Sequence, residues 1–189
     1  MTLRDARASD APRLLEIYAW YVENTAVSFE YDAPSLDEFL GRMERTTAKY
    51  PWLVVEEAGR VMGYAYAGPF KGRPSYDWSC ETTVYLDHQA RGRGLGRALY
   101  GALEEALGEM GLLNLYAYVS WAEVEDDILT RDSPRFHERM GYTLAGRFHR
   151  CGCKFGRWFD MVVMEKAIGP HDPDPEPVRW RESGISIEG

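Results

Sequence analysis

The spacing of apolar positions changes several times along the chain, and each change marks an element. From Ser9 to about Asn24, Leu14, Ile17, Tyr18, Tyr21 and Val22 recur three and four apart, which predicts an amphipathic helix. Pro12 falls in its first turn, where proline is tolerated. Ser35 followed by Glu38 is a capping box; it opens a second helix that runs to about Lys49, before Pro51. Thr2 to Ala6 reads as a short first strand. Trp52 to Glu57 and Val61 to Ala67 are strand-like runs joined by Ala58-Gly59-Arg60, a hairpin turn. After the turn-rich loop Gly68 to Trp78, Cys80 to Leu86 is a further strand. Leu95, Leu99, Leu103, Ala106 and Met110 line one face of a long helix, and Leu113 to Val119 is a strand. Ser133 to Met140 is a short helix with Gly141 just past its end. Tyr142 to Phe148 and Trp158 to Glu165 read as a closing hairpin. The order β-α-α-β-β-β-α-β-α-β-β defines an α/β (α+β) domain over residues 1–168. From Gly169, Pro170, Pro173, Pro175 and Pro177 stand among acids and predict an extended or disordered appendage outside the core.

The junction before the long helix carries the chemistry. It runs Arg91, Gly92, Arg93, Gly94, Leu95, Gly96, Arg97. Glycine lets a backbone approach a ligand closely, and the unpaired amides and dipole of a helix start favour an anion. The pattern is a phosphate cradle ringed by arginines. It is not a P-loop, because Gly96 is followed by Arg97 and Ala98. It is not the dinucleotide fingerprint either, because the glycines are spaced G-x-G-x-G in mid-chain. A glycine-rich turn before an ordinary helix is the plainer alternative.

Composition narrows the field. The formal charge is -8, which argues against nonspecific nucleic-acid binding and makes the acid-free run from His88 to Arg97 a local positive patch. Hydrophobic residues at 45% and 189 positions suit one domain with a proper core. No run is long enough to span a membrane, and Met1-Thr-Leu-Arg-Asp-Ala-Arg lacks an apolar signal region. Three cysteines, Cys80, Cys151 and Cys153, form no disulfide framework or zinc set, so a reduced, cytoplasmic, metal-free protein is expected.

Arg91-x-x-Gly94-x-Gly96 resembles the R/Q-x-x-G-x-G/A signature of the GNAT superfamily of N-acetyltransferases. Further strings follow in register: Gly68-Pro-Phe with Arg73 and Tyr76, Glu81-x-x-Val84-Tyr85, His137-Glu138-x-x-Gly141-Tyr142, and Lys154-Phe-Gly-Arg-Trp158-x-Asp160. Together they are similar to the phosphinothricin and methionine sulfoximine acetyltransferase branch over residues 2–167. The resemblance implies a mixed, mostly antiparallel sheet of about seven strands flanked by about four helices. It also implies that the strands 81–86 and 113–119 splay apart to admit the pantetheine arm of acetyl-CoA. The protein would be a homodimer acting on a small-molecule amine. One departure stands out: the link from Ser120 to Asp132 is long and acidic, with Thr130 where relatives carry Asn.

The resemblance implies roles residue by residue. Glu81 is the candidate general base, since an ammonium must lose its proton before it attacks. Backbone amides at Val84, Tyr85 and Leu86 would meet the developing oxyanion. Arg91, Gly92, Arg93, Gly94, Leu95, Gly96 and Arg97 would hold the pyrophosphate, with Thr130 and Ser133 also on the cofactor. His137 stands where many members carry a thiolate-protonating Tyr; it is either an acid or a packing contact to the cofactor. Lys71, Arg73 and Tyr76 would bind the acceptor's anionic end, with Phe29 and Tyr85 as pocket walls. Lys154, Arg157 and Asp160 read as hairpin structure or dimer interface. The expected activity is transfer of acetyl to the α-amine of a small amino acid or analogue. The competing readings are an acetyltransferase of a protein or other large amine, and a non-catalytic acyl-CoA sensor.

Overall fold

The computed structural model describes residues 1–181. Its elements run β1 (Thr2–Asp5), α1 (Ala11–Asn24), α2 (Leu36–Thr47), β2 (Trp52–Glu57), β3 (Arg60–Pro69), β4 (Ser79–Leu86), α3 (Leu95–Met110), β5 (Asn114–Trp121), α4 (Asp132–Arg139), β6 (Thr143–Lys154) and β7 (Arg157–Ala167). The strands form one sheet in the order β1-β2-β3-β4-β5-β7-β6. Every neighbouring pair is antiparallel except β4 and β5, which run parallel.

The two faces of the sheet bury different helices. Leu95, Leu99, Leu103 and Leu107 of α3 pack on Val55, Ala65, Ala67, Leu115 and Ala117. Leu14, Ile17, Tyr18 and Val22 of α1 and Phe39 and Met43 of α2 pack on Trp52, Val54 and Tyr64. Alternation along β2 and β3 supplies both cores, since successive strand residues point to opposite faces.

Local differences from the sequence reading have local causes. A 3-10 turn over Ala8–Asp10 precedes α1, so the helix opens at Ala11 with Pro12 inside it. The box at Ser35 is half made: Ser35 Oγ accepts from Glu38 N at 3.2 Å, while the Glu38 carboxylate turns to Arg42 at 2.5 Å. The closing hairpin is longer than its alternation suggested. The register of β6 against β7 shifts between Phe148 and Gly152, with Arg150 at φ 48°, and that bulge breaks the period-two pattern.

The tail departs from a free appendage. Residues 169–181 have no regular secondary structure, yet they cross the domain as a strap. Trp78 Nε1 donates to Glu176 O at 2.8 Å, and Arg179 N donates to Met110 O at 2.8 Å. Trp180 lies edge-on to Tyr50 at 5.3 Å, and Arg181 pairs with Asp5 at 2.6 Å. The rest of the tail, 182–189, lies outside the described residues. Truncation after Ile168 uncovers Tyr50 and is expected to cost about 2 kcal/mol, lowering Tm by about 4–8 °C in scanning calorimetry. An unchanged Tm would show that the strap contributes no stability.

Candidate active site

β4 and β5 part company early. Ser79, Cys80 and Glu81 pair with Asn114, Leu115 and Tyr116, and the pairing stops there. From Thr82 onward β4 has no β5 partner, which leaves a strand edge available to an extended ligand. A cavity of about 200 Å³ occupies the opening, lined among others by Glu81, Thr83, Tyr85, Tyr118, Ser133 and His137.

The cradle sits at the tip of this gap. Gly94 caps α3 at φ 80°, and Gly92 has φ 73°, a region that side chains with a Cβ rarely adopt. A Cβ built on either glycine meets nothing within 4 Å, so open space lies beside both. Ala98 N makes the bond to Gly94 O, so the amides of Leu95, Gly96 and Arg97 precede the first intrahelical bond. Leu95 and Gly96 offer only backbone to the opening: the Leu95 side chain is in the core, and Gly96 lies against Leu86 and Phe136. Arg91 stands over Trp20 and Tyr21, 5.4 and 5.2 Å from their ring centres. Arg93 is tied to Glu57 at 2.5 Å. Arg91 and Arg97 are exposed and make no ion pair among the described residues. Two guanidiniums without ion pairs, of which Arg91 also donates to the Tyr21 hydroxyl at 3.4 Å, with first-turn amides and the glycine opening, fit the diphosphate of a nucleotide-bearing ligand.

Glu81 stands at the fork, half-buried on the last paired rung. Burial raises its pKa above the usual carboxylate range, partly offset by the charge of Lys71. Lys71 lies over Phe70 and Tyr118, 5.0 and 5.8 Å from the ring centres; Tyr118 lines the cavity and Lys71 itself does not. Phe70 in turn stacks at 4.2 Å on Tyr116, the residue opposite Glu81. Tyr76 packs edge-on against Phe70 at 5.6 Å, and Arg73 is exposed on the same loop; neither lines the cavity.

His137 borders the cavity but is only 3% exposed, and both ring nitrogens are engaged. The Ser133 carbonyl, at 2.8 Å, can only accept, so Nδ1 carries the proton. Nε2 then accepts from the Tyr100 hydroxyl at 2.9 Å. Tyr100 O lies 2.7 Å from Thr82 Oγ1, which is 3.4 Å from the Tyr142 hydroxyl. Burial lowers the His137 pKa, so the ring is neutral at pH 7. A neutral, doubly engaged imidazole suits a packing and positioning part better than proton donation.

Other expected residues are more scattered. Phe29 packs with Phe159 and lies against Gly152, beneath the β6–β7 hairpin rather than in the cavity lining. Ser133 lines the cavity; Thr130 is exposed and accepts from Asp132 N at 3.4 Å. Acids of the 120–132 link are spent on neighbours: Glu125 grips Arg135 at 2.7 Å, Asp126 takes Arg157 at 2.5 Å, and Glu123 meets Arg147. Cys80 is fully buried, and burial pushes its thiol pKa up, which removes it as a nucleophile. Sequence reasoning missed Tyr66, Tyr118, Ser120 and Val27, which also line the cavity. Alternation along β3 and β5 held the signal for Tyr66, Tyr118 and Ser120, since these share the face of Glu81. No described helix is long and apolar enough to cross a membrane.

Known proteins share this geometry. A phosphinothricin N-acetyltransferase of Streptomyces viridochromogenes is 36% identical over 94% of this chain and 92% of its own. An L-methionine sulfoximine/L-methionine sulfone acetyltransferase of Salmonella typhimurium is 32% identical over 90% of this chain and 96% of its own. The crystal structure of a GNAT superfamily phosphinothricin acetyltransferase from Sinorhizobium meliloti, in complex with AcCoA, superposes with a TM-score of 0.85 at 32% identity, covering 97% of both chains. Residues 3–163 match the acetyltransferase (GNAT) domain, and the chain belongs to that family of acetyltransferases.

Proposed function

We propose that this protein transfers the acetyl group of acetyl-CoA directly to the α-amine of a small amino acid or analogue of the phosphinothricin or methionine sulfoximine type, with Glu81 as general base. Acetyl-CoA supplies an activated thioester. The ammonium first gives a proton to Glu81; the neutral amine then bonds to the acetyl carbon, the carbon–sulfur bond breaks, and CoA leaves as a thiolate that takes up the second proton lost by the nitrogen. One observation carries the reading: a carboxylate of raised pKa, half-buried where β4 and β5 separate, opens onto the cavity beside a lysine. A raised pKa brings the base closer to the task of taking a proton near neutral pH. Lys71, which lies over the cavity-lining Tyr118 and acts by its charge on Glu81, supports an acceptor with an anionic end. The relatives' named substrates support the same class.

The test is a thiol-release assay with acetyl-CoA against a panel of amino acids, polyamines and peptides. Turnover confined to amino acids and analogues supports the proposal; turnover confined to peptides or polyamines overturns the acceptor class, and none at all overturns the enzyme reading. The cradle has its own check. Arg91→Ala removes a charge-assisted contact and is expected to weaken acetyl-CoA binding roughly 10-fold or more in calorimetry. Gly94→Val forces a β-branched residue to φ 80° and places methyl groups in the open space, with a similar or larger loss. Unchanged affinity in both variants would refute the assignment.

A further inference from the structure

A chain of hydroxyls runs behind the reaction cavity. Alternation turns the Thr82 side chain away from those of Glu81 and Thr83, to the face that packs on α3, and Thr82 is 3% exposed. Its Oγ1 lies 2.7 Å from the hydroxyl of Tyr100, a fully buried residue of α3. That hydroxyl is also 2.9 Å from Nε2 of His137 on α4. Thr82 and His137 both line the cavity; Tyr100 does not. One phenol therefore joins a strand wall to a helix wall from behind the lining.

The protons fix the direction of the chain. His137 Nδ1 donates to Ser133 O, so Nε2 offers a lone pair and Tyr100 donates to it. Thr82 has one proton; at 2.7 Å it goes to the Tyr100 oxygen, and Tyr116 O, at 3.2 Å, takes the lesser share. The Tyr142 hydroxyl, 3.4 Å from Thr82 Oγ1, donates at the far end. Deleting the Tyr100 oxygen leaves His137 Nε2 without its donor and Thr82 without its nearer acceptor. The place of the chain matters as much as its order. Glu81 and Tyr116 are the last paired rung of β4 and β5, and the contact from Thr82 to Tyr116 O crosses between the strands by a side chain just past it. The Tyr100 ring packs edge-on against Phe136 and His137 of α4, each at 5.3 Å, so the same residue seats α4 beside the fork.

We propose that Tyr100 is a positioning residue for acetyl-CoA: through Thr82 and His137 it sets the width of the gap that takes the thioester arm. The proposal rests on that arm lying along the open edge of β4. Tyr100→Phe keeps the ring and deletes the oxygen. Calorimetry on the full chain with CoA, and with its fragment lacking the arm, adenosine 3′-phosphate 5′-diphosphate, separates the arm from the cradle. The expected result is a CoA affinity about 10-fold weaker with the fragment's affinity unchanged, since a lost hydrogen bond that loosens one wall acts on what that wall touches. In steady state KM for acetyl-CoA rises by about the same factor, while kcat changes by less than about threefold. Thr82→Val, which keeps the shape and removes the hydroxyl, is expected to weaken CoA in the same direction. The double variant is expected to lose no more than Tyr100→Phe alone, because one chain is broken once. Equal losses for CoA and the fragment overturn the proposal and make Tyr100 a support of α3 as a whole. Unchanged CoA affinity in both single variants overturns it as well, as does a fall in kcat with KM unchanged. Native protein that binds CoA no more tightly than the fragment overturns the seat of the arm itself, and leaves the amine-acetylation reading to its own assay.

Discussion

Glu81→Gln is expected to lower kcat by about 10²- to 10⁴-fold, the usual contribution of a positioned base, and to leave acetyl-CoA affinity unchanged. It is also expected to leave the fold at least as stable. Burial raises the folded pKa of Glu81 above its unfolded value, with Lys71 pulling the other way. The contribution of such a group to stability is complete below the unfolded carboxylate pKa and is lost as pH rises through the folded one. Above its folded pKa the native enzyme therefore carries the desolvation cost of an ionised carboxylate, and the amide does not. Lower turnover with an equal or higher Tm is the signature of a group kept for chemistry at the expense of stability. The pH–rate profile adds a second mark. In the native enzyme kcat/KM climbs with pH as Glu81 ionises, over a range above that of ordinary carboxylates; in the Gln variant that limb disappears. Equal turnover in both proteins would remove Glu81 from its role.

Legibility in the sequence followed the range of the interactions. The glycine turn at the start of α3 was readable because its arginines and glycines lie within seven positions, Arg91 to Arg97, followed by a helix with a clear leucine stripe. The place of Glu81 was readable because the strand before that turn is short and the family strings fix its register; its role as base is a proposal. The part played by His137 was not. Its tautomer and charge depend on Ser133 within its own helix and on Tyr100 from another, and on burial that no local pattern encodes. The seat of the tail was hidden for the same reason. Its composition is that of a disordered segment, but Tyr50, Trp78, Met110 and Asp5, scattered over the chain, give it a seat. The sequence showed only that the link is long and acidic; that arginines from α4, β6 and β7 take up Glu125, Glu123 and Asp126 depends on contacts distant in the chain.

Lys154 shows how far such long-range contacts govern the site. Its amine is buried and donates to Val22 O at 2.6 Å, Thr25 O at 2.9 Å and Ser28 O at 2.7 Å. An ammonium has three protons, and all three are used. The three carbonyls belong to the end of α1 and the turn after it, where the helix dipole also favours a cation. Nearby contacts pin the same segment: Tyr31 donates to Cys153 O at 2.9 Å, and Phe29 lies so near Gly152 that a Cβ there would come within 2.6 Å of the ring. Between these anchors sits Val27, which lines the reaction cavity and whose carbonyl accepts from Ser120 Oγ at 3.3 Å. Lys154→Met keeps the stem and deletes every donor, leaving three carbonyls unpaired. The expected cost is about 3 kcal/mol, or about 6–12 °C in Tm, after the gain from burying an apolar tip is counted. Lys154→Arg is expected to recover little, because a planar fork cannot place three donors at one point. Since Val27 of this segment lines the cavity proposed to take the amine, KM for the amine is expected to rise about 10-fold at a temperature where the variant is folded, with KM for acetyl-CoA nearly unchanged. Parallel losses in both constants would reduce Lys154 to general scaffolding. A loss confined to the amine makes it the positioning residue that shapes the acceptor wall from the far end of the hairpin.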